Sequence, residues 1–325
     1  MTATRVVIDS FGGPDVMRLE EVALPLPGSQ EVLVRHTAIG FNFIDVYDRE
    51  GRNGKLLPSV LGREAAGVVE AIGPDVSDFD IGDRVACIDA GLGTYSDRRI
   101  VKTSRLIRIP DDIDDETVAA VLMKAMTAHY LLHKTYAVKA GDLVLINAAA
   151  GGVGQIMCRW AKALGAEVVG TVGSDAKVDV AKAAGADFVI NYAQPKWSDK
   201  LLEATGGRKA DVVYDSVGKD TFFDSIECVA PLGMMVLAGA ASGPIPPVSP
   251  SILKKKGGLF LTSPSLAFHN KTPDALRDNA RIVFEAIRRG VIVPQIGARY
   301  ALADIVKLHR DAQARRLVGS TVILP

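Results

Sequence analysis

Residues 148–154 read Ala148-Ala149-Ala150-Gly151-Gly152-Val153-Gly154, after a continuous apolar run and before an amphipathic one. Small side chains in such a turn suit one kind of chemistry. The chain must reverse tightly, its backbone must approach a pyrophosphate, and the following helix must sit close to the strand. Amide groups at the helix N-terminus then face the phosphates, and the helix dipole favours their charge. Ala148 stands in place of the first glycine of the dinucleotide fingerprint, and Gly151, Gly152 and Val153 are the expected pyrophosphate contacts. The alternative is a plain tight turn without a ligand.

Which dinucleotide would bind depends on the end of the second strand, where NAD enzymes place an acidic residue for the ribose 2′-OH. Here that stretch reads Val172-Gly173-Ser174-Asp175-Ala176-Lys177. Gly173 and Ser174 follow the strand directly, Lys177 is one helical turn further on, and Tyr192 is a candidate lid. A hydroxyl and an ammonium suit a 2′-phosphate, so NADPH is expected. Asp175 dissents, unless it turns to solvent as a helix N-cap.

The elements that position these groups change character along the chain. Residues 5–8, 31–36, 67–72, 84–88 and 106–109 are short apolar runs between Gly/Pro/Asp turns, a pattern for a partly closed antiparallel barrel. Residues 115–134 lack Gly and Pro and read as helix. Six apolar strands follow (143–147, 168–172, 188–191, 212–215, 234–238 and 259–262), most separated by helical stretches, of which 155–164 and 178–184 are the clearest. That alternation predicts an α/β doubly wound parallel sheet. Residues 242–250 carry four prolines and read as a loop, Lys254-Lys255-Lys256 as a solvated helix end, 273–289 and 302–316 as helices, and 320–324 as a last strand.

Composition limits the function. The 325 residues carry 38 basic and 38 acidic side chains, with 48% hydrophobic and 23% charged residues. Zero formal charge and 6% aromatics disfavour a nucleic-acid surface, which needs a cationic stripe with interleaved aromatics. Cys87, Cys158 and Cys228 are too dispersed for a clustered tetrahedral metal site. His129 and His133 stand at i and i+4 but lack a following Glu, so no metal is assigned to them. No signal peptide or membrane span is read, and a cytoplasmic protein is expected.

Several motifs together resemble the zinc-independent medium-chain dehydrogenases/reductases, in particular the bacterial NADPH:quinone oxidoreductases related to ζ-crystallin. They are Gly40-Phe41-Asn42-Phe43-Ile44-Asp45-Val46-Tyr47, Gly62-Arg63-Glu64-Ala65-Ala66-Gly67, Gly82-Asp83-Arg84-Val85, Lys124-Ala125-Met126-Thr127-Ala128, the 148–154 turn, the segment 160–166, Val213-Tyr214-Asp215-Ser216-Val217-Gly218 and Ser263-Pro264-Ser265-Leu266. The resemblance implies a chaperonin-10-like β-barrel catalytic domain (residues 1–125 and 264–325) interrupted by a Rossmann nucleotide-binding domain (126–263), with the cofactor between them. It implies Asn42 and Tyr47 as catalytic residues, and Asn42, Thr127, Tyr130, Gly151, Gly152, Val153, Gly173, Ser174, Lys177, Tyr192, Ser216, Gly239 and Val318 as cofactor contacts. Asn42 would bind the cofactor or polarise a substrate carbonyl, and Tyr47 would line a quinone pocket. Asn42 capping a turn and Tyr47 packing in the barrel are the plainer alternatives, and Lys124 reads as solvent-exposed.

Where zinc relatives place a metal-binding Cys and a His before Glu, this chain has Phe41-Asn42-Phe43 and Arg63-Glu64. No zinc is therefore expected, and with it no Lewis acid for alcohol oxidation. The expected reaction is NADPH-dependent quinone reduction, the alternative is alkenal or enone double-bond reduction, and a homodimer is expected through the apolar sheet edge near residues 259–262.

Overall fold

Short apolar runs satisfy their backbone groups by pairing, and those of the first hundred residues do so mostly with antiparallel partners. The computed structural model describes residues 1–325. Strands β1 (Thr2–Ile8), β2 (Met17–Ala23), β3 (Glu31–Gly40), helix α1 (Phe43–Arg49), β4 (Ser59–Val60), β5 (Glu64–Ile72), β6 (Arg84–Ile88), β7 (Arg98–Lys102) and β8 (Leu106–Arg108) precede α2 (Asp115–Tyr130). The region after α2 supplies β9 (Leu143–Ile146), α3 (Gly152–Ala163), β10 (Glu167–Val172), α4 (Val178–Ala183), β11 (Phe188–Asn191), α5 (Trp197–Ala204), β12 (Ala210–Asp215), α6 (Phe222–Glu227), β13 (Val229–Leu237), α7 (Pro250–Lys255), β14 (Phe260–Thr262) and α8 (Leu266–His269). The chain ends with α9 (Pro273–Arg288), β15 (Ile296–Ala301), α10 (Ile305–Gln313) and β16 (Ser320–Leu324).

These elements pack into two compact units. The first holds Met1–Lys124, Asn270–Glu285 and Pro294–Pro325, and the second holds Ala125–His269 and Ala286–Val293. Residues 264–269 and 286–293 thus group with the nucleotide-type sheet, a partition shifted from the 126–263 boundaries read in the sequence.

In the first unit, a three-stranded sheet (β2-β1-β4) and a larger one (β15-β16-β3-β5-β6-β8, with β7 also on β3) share one apolar core. Val6, Ile8 and Met17 come from the smaller sheet, and Val32, Val34, Ile39, Val69, Val85 and Ile323 from the larger. In the second unit, all six strands are parallel in the order β11-β10-β9-β12-β13-β14. This is the doubly wound order, with its switch point between β9 and β12. Leu145, Val169, Trp197, Val213, Phe222 and Met235 fill its core. The antiparallel-barrel and doubly wound expectations both hold.

The helix expected over 115–134 is α-helical only to Tyr130, and Leu131–Thr135 continue as a π-helical turn. Lys254 and Lys255 end α7, whose first residue is Pro250, and the residues before it form the expected loop. No helix is long and apolar enough to cross a membrane.

Candidate functional site

The turn after β9 is shaped by its small residues. Ala148 takes a left-handed backbone (φ 54°), a conformation that costs a non-glycine residue about 1 kcal/mol. The Gly151 N–H donates to the Ala148 carbonyl at 2.9 Å, and Gly151 is the N-cap residue of α3. A Cβ at Gly154 would stand 2.3 Å from the Ala148 carbonyl oxygen, so only glycine lets α3 start this close to the turn. Gly151 is exposed, while Gly152 and Val153 are half-buried. Free amide groups on the first turn of a twelve-residue helix, reached through an open glycine, fit a pyrophosphate.

Beside this turn, the expected 2′-phosphate residues gather at the end of β10. A Cβ at Gly173 would lie 2.7 Å from the Tyr192 hydroxyl, so the phenol rests against Gly173. Tyr192 is fixed there by its N–H, which donates to the Val172 carbonyl at 2.9 Å. Ser174 caps a single 3₁₀ turn over Asp175–Lys177, and its carbonyl accepts from the Lys177 N–H at 3.1 Å. Asp175 does not act as the N-cap foreseen from the sequence. Its carboxylate accepts from Asn191 Nδ2 at 2.8 Å, because Ser174 already holds the capping position.

Under the C-terminal strand ends runs a buried polar ladder that sequence reading left unassigned. Thr171 Oγ1 donates to Asn147 Oδ1 (2.7 Å), Asn147 Nδ2 to Ser225 Oγ (2.8 Å), and Ser225 Oγ to Asp215 Oδ2 (2.8 Å). Asp215 also accepts from the Val217 and Gly218 N–H groups and from Thr221. The ladder ties β10, β9 and β12 together across the switch point. It also sets Ser216, whose Oγ donates to the Asn147 carbonyl at 3.3 Å and whose own carbonyl lies 2.9 Å from where a Gly239 Cβ would be. Only Asp215 gave a signal, as part of the Val213–Gly218 motif.

Two more expected contacts lie on α2, within the second unit. Thr127 is half-buried, whereas Tyr130 is buried, with its ring stacked on His269 at 4.5 Å between centroids. Burial pushes the Tyr130 phenol up to about 12. His129 and His133 both pack against Trp160, a core arrangement, and no cluster of three metal-ligating side chains is present.

The first unit carries Asn42 and Tyr47. Asn42 is the N-cap residue of α1, and the plainer capping role does apply: it forms a capping box with Asp45, in which its N–H donates to Asp45 Oδ2 at 2.9 Å and its side chain faces the Asp45 N–H. The Nδ2 edge of its carboxamide is held elsewhere, donating to Glu64 Oε2 at 2.7 Å. Glu64 is 1% exposed. Lys124, expected in solvent, is only 7% exposed; its ammonium stands 3.9 Å from Glu64 and donates to the Phe41 carbonyl at 3.0 Å. Burial depresses its pKa, and the Glu64 carboxylate opposes that shift. The sequence misses Lys124 because a lysine within an Ala/Leu/Met helix looks like a solvated position.

Tyr47 is half-buried, edge-on to Phe43, with the Arg52 guanidinium 5.1 Å over its ring. Helix α1 is fixed by a buried polar chain on its other side. Arg49, fully buried, donates to the Gly12 carbonyl and Gln313 and contacts His309 Nδ1 at 3.0 Å. Tyr95 donates to Asp45 at 2.8 Å. Val318 is 40% exposed and lies just before β16, where the Thr321 carbonyl accepts from the Phe41 N–H. The last strand therefore runs beside the segment that presents Asn42.

Asp45 gives this corner a pH dependence. Burial pushes its carboxyl from the ordinary 3.8 up to about 7, against the hydrogen bonds from Asn42 and Tyr95. The folded chain then holds a proton that the unfolded chain releases near pH 4. Stability falls as pH rises from about 4 to about 7, with an upper limit of roughly 4 kcal/mol. Asp45→Asn removes this titration and keeps an oxygen for both donors. Its Tm relative to the parent should rise by several degrees between pH 5 and pH 8; parallel Tm–pH curves would refute the assignment.

Comparison with known proteins bears on the whole chain. The family model described as "Alcohol dehydrogenase GroES-like domain" matches residues 28–111, and that described as "Zinc-binding dehydrogenase" matches residues 152–278. A quinone oxidoreductase of Pseudomonas aeruginosa is 45% identical over 99% of this chain and 100% of the relative. A 2-haloacrylate reductase of Burkholderia is 41% identical over 98% of both. The crystal structure of Escherichia coli quinone oxidoreductase complexed with NADPH superposes with a TM-score of 0.96 at 41% identity, covering 99% of this chain and 100% of the other. With the β-barrel unit, the doubly wound sheet and full-length similarity in agreement, the chain belongs to the NADPH:quinone oxidoreductase family of the medium-chain dehydrogenases/reductases.

Proposed function

We propose that the chain is an NADPH-dependent quinone reductase that works without zinc. The observation that carries this reading is the cluster of Gly173, Ser174, Lys177 and Tyr192 beside the Gly151–Val153 turn. It offers a hydroxyl, a phenol and an ammonium where an NAD enzyme offers a carboxylate. The E. coli relative, crystallised with NADPH, supports it.

NADPH, when bound, supplies a hydride from its nicotinamide C4. The chain's own part is binding, orientation and exclusion of water. Amide groups of Gly152 and Val153, with the open Gly151 backbone beside them, take the pyrophosphate, and Ser174, Lys177 and Tyr192 take the 2′-phosphate. Thr127, Tyr130, Ser216, Gly239 and Val318 complete the cofactor contacts, Tyr130 by backing the site with its buried ring. Asn42 contacts the cofactor, and Tyr47 lines the quinone pocket. No side chain is assigned as proton donor; a reduced quinone spreads its charge over the ring and takes its proton from solvent.

Zinc independence rests on the donor set. At the two positions where zinc relatives place Cys and His, Asn42 is bonded to Glu64 and Arg63 is bonded to Asp48 and Asp89, so neither offers a thiolate or imidazole. A homodimer is proposed through the sheet edge at β14, where Phe260 is 60% exposed beside Leu232 at 74%.

The second reading, reduction of an activated double bond, is favoured by the similarity to 2-haloacrylate reductase. Steady-state rates with a naphthoquinone and an alkenal, each with NADPH and with NADH, separate the two. The expected result is a kcat/KM at least tenfold higher for the quinone, and at least tenfold higher with NADPH than with NADH. NADPH oxidation by the alkenal alone would replace the first reading with the second.

A further inference from the structure

We propose that Glu64 is a positioning residue that fixes which edge of the Asn42 carboxamide meets a ligand. Its carboxylate turns Nδ2 inward and leaves the carbonyl oxygen as the leading group toward an O–H or N–H donor, such as a ribose hydroxyl or a ligand carboxamide. The inference rests on the reading that Asn42 contacts the cofactor.

An ionised carboxylate only accepts hydrogen bonds, so it can face the NH2 edge of Asn42 and not the oxygen. Glu64 Oε2 takes Asn42 Nδ2 at 2.7 Å, and Oε1 takes the Met123 N–H at 2.7 Å. The Lys124 ammonium, itself tethered to the Phe41 carbonyl, supplies a positive charge 3.9 Å away. Burial pushes the Glu64 carboxyl up, and Lys124, Asn42 and Met123 oppose that shift.

The backbone is also shaped for this carboxylate. Gly40 pairs with Glu64 across β3 and β5, and a Cβ on it would stand 2.6 Å from Glu64 Oε2 and 2.2 Å from the Ala119 carbonyl. Burying an ion pair is a poor way to gain stability when apolar side chains of similar size would serve. What the pair adds is direction: with one Nδ2 hydrogen committed to Glu64 and the carbonyl facing the Asp45 N–H in the capping box, the second lone pair of that oxygen is the strongest group that Asn42 has left. Of the two roles considered for Asn42, this geometry favours accepting a hydrogen bond from the cofactor over polarising a substrate carbonyl.

The test combines a spectrum of the ligand-free protein with a double-mutant cycle. In 15N-labelled protein, the Asn42 side-chain amide pair, assigned by its loss in Asn42→Ala, should show one proton shifted downfield by the charged acceptor. In Glu64→Gln that shift should collapse. For NADPH oxidation, Asn42→Ala should lower kcat/KM by roughly tenfold or more. Glu64→Gln should reproduce most of that loss, in the same parameter (KM for NADPH rather than kcat). The double variant should be no worse than Asn42→Ala alone. If Glu64→Gln does not fold, Glu64→Gln combined with Lys124→Met removes both charges and serves in its place. Additive losses, or an Asn42 amide spectrum indifferent to Glu64, overturn the positioning role. An Asn42→Ala variant with parental kcat/KM overturns the reading of Asn42 itself, a pattern distinct from additive losses.

Discussion

Replacing Gly154 with alanine is expected to weaken NADPH binding by more than tenfold, while Gly151→Ala changes it by no more than about threefold. Both positions face the same atom. A Cβ at Gly154 would lie 2.3 Å from the Ala148 carbonyl oxygen and 2.8 Å from Ala149 Cα, both of them backbone. A Cβ at Gly151 would meet that oxygen at 3.2 Å, which a shift of a few tenths of an ångström relieves. The turn has little freedom to give, because Ala148 already sits at φ 54° and its carbonyl already accepts the Gly151 N–H. In Gly154→Ala the start of α3 must move away from β9, taking with it the amide groups proposed to face the phosphates. Isothermal titration with NADPH measures the affinity, and circular dichroism with thermal melting shows whether the sheet survives. A folded Gly154→Ala protein with the parental Kd would remove the close-approach argument.

That turn was legible in the sequence because its requirements are local: an apolar strand, small residues and an amphipathic helix, all within about twenty residues. β11 and β16 also fall where apolar runs between turn residues placed them. The strands that escaped sequence reading are those without such runs. β2 is charged and largely exposed, with Leu19 43% exposed, and β15 alternates half-buried with exposed residues around a glycine. Helix α5 was hidden by Pro195 and by Lys196, which enters it in a left-handed conformation (φ 54°).

The site divides in the same way. Gly173, Ser174, Lys177 and Tyr192 could be nominated from strand ends, since an open parallel sheet gathers its ligands there. Lys124 and Glu64 could not. The burial of each depends on the other, and nothing near either residue in the chain announces the partner. The Asn147–Ser225–Asp215 ladder is of the same kind, with three polar residues on separate elements that are satisfied only once the sheet has formed.

Loss of the Arg63 side chain is expected to cost about 3–5 kcal/mol. In sequence Arg63 marked only the absence of a zinc-binding histidine. In the fold its guanidinium grips Asp48 with two bonds, Nε to Oδ2 at 2.6 Å and an Nη to Oδ1 at 2.9 Å, and reaches Asp89 Oδ1 at 2.9 Å with its other Nη. Asp48 is fully buried on α1, three residues beyond Asp45, and apart from Arg63 it receives the Asn53 amide at 2.8 Å. Arg63→Met therefore strands a carboxylate in the core. Asp48→Asn in the same chain removes the stranded charge and should recover a large part of the loss. Urea midpoints of the two single variants and the double variant measure this. An Arg63→Met midpoint equal to that of the parent would show that the clamp contributes nothing. A loss that Asp48→Asn does not relieve would place the cost in packing rather than in charge.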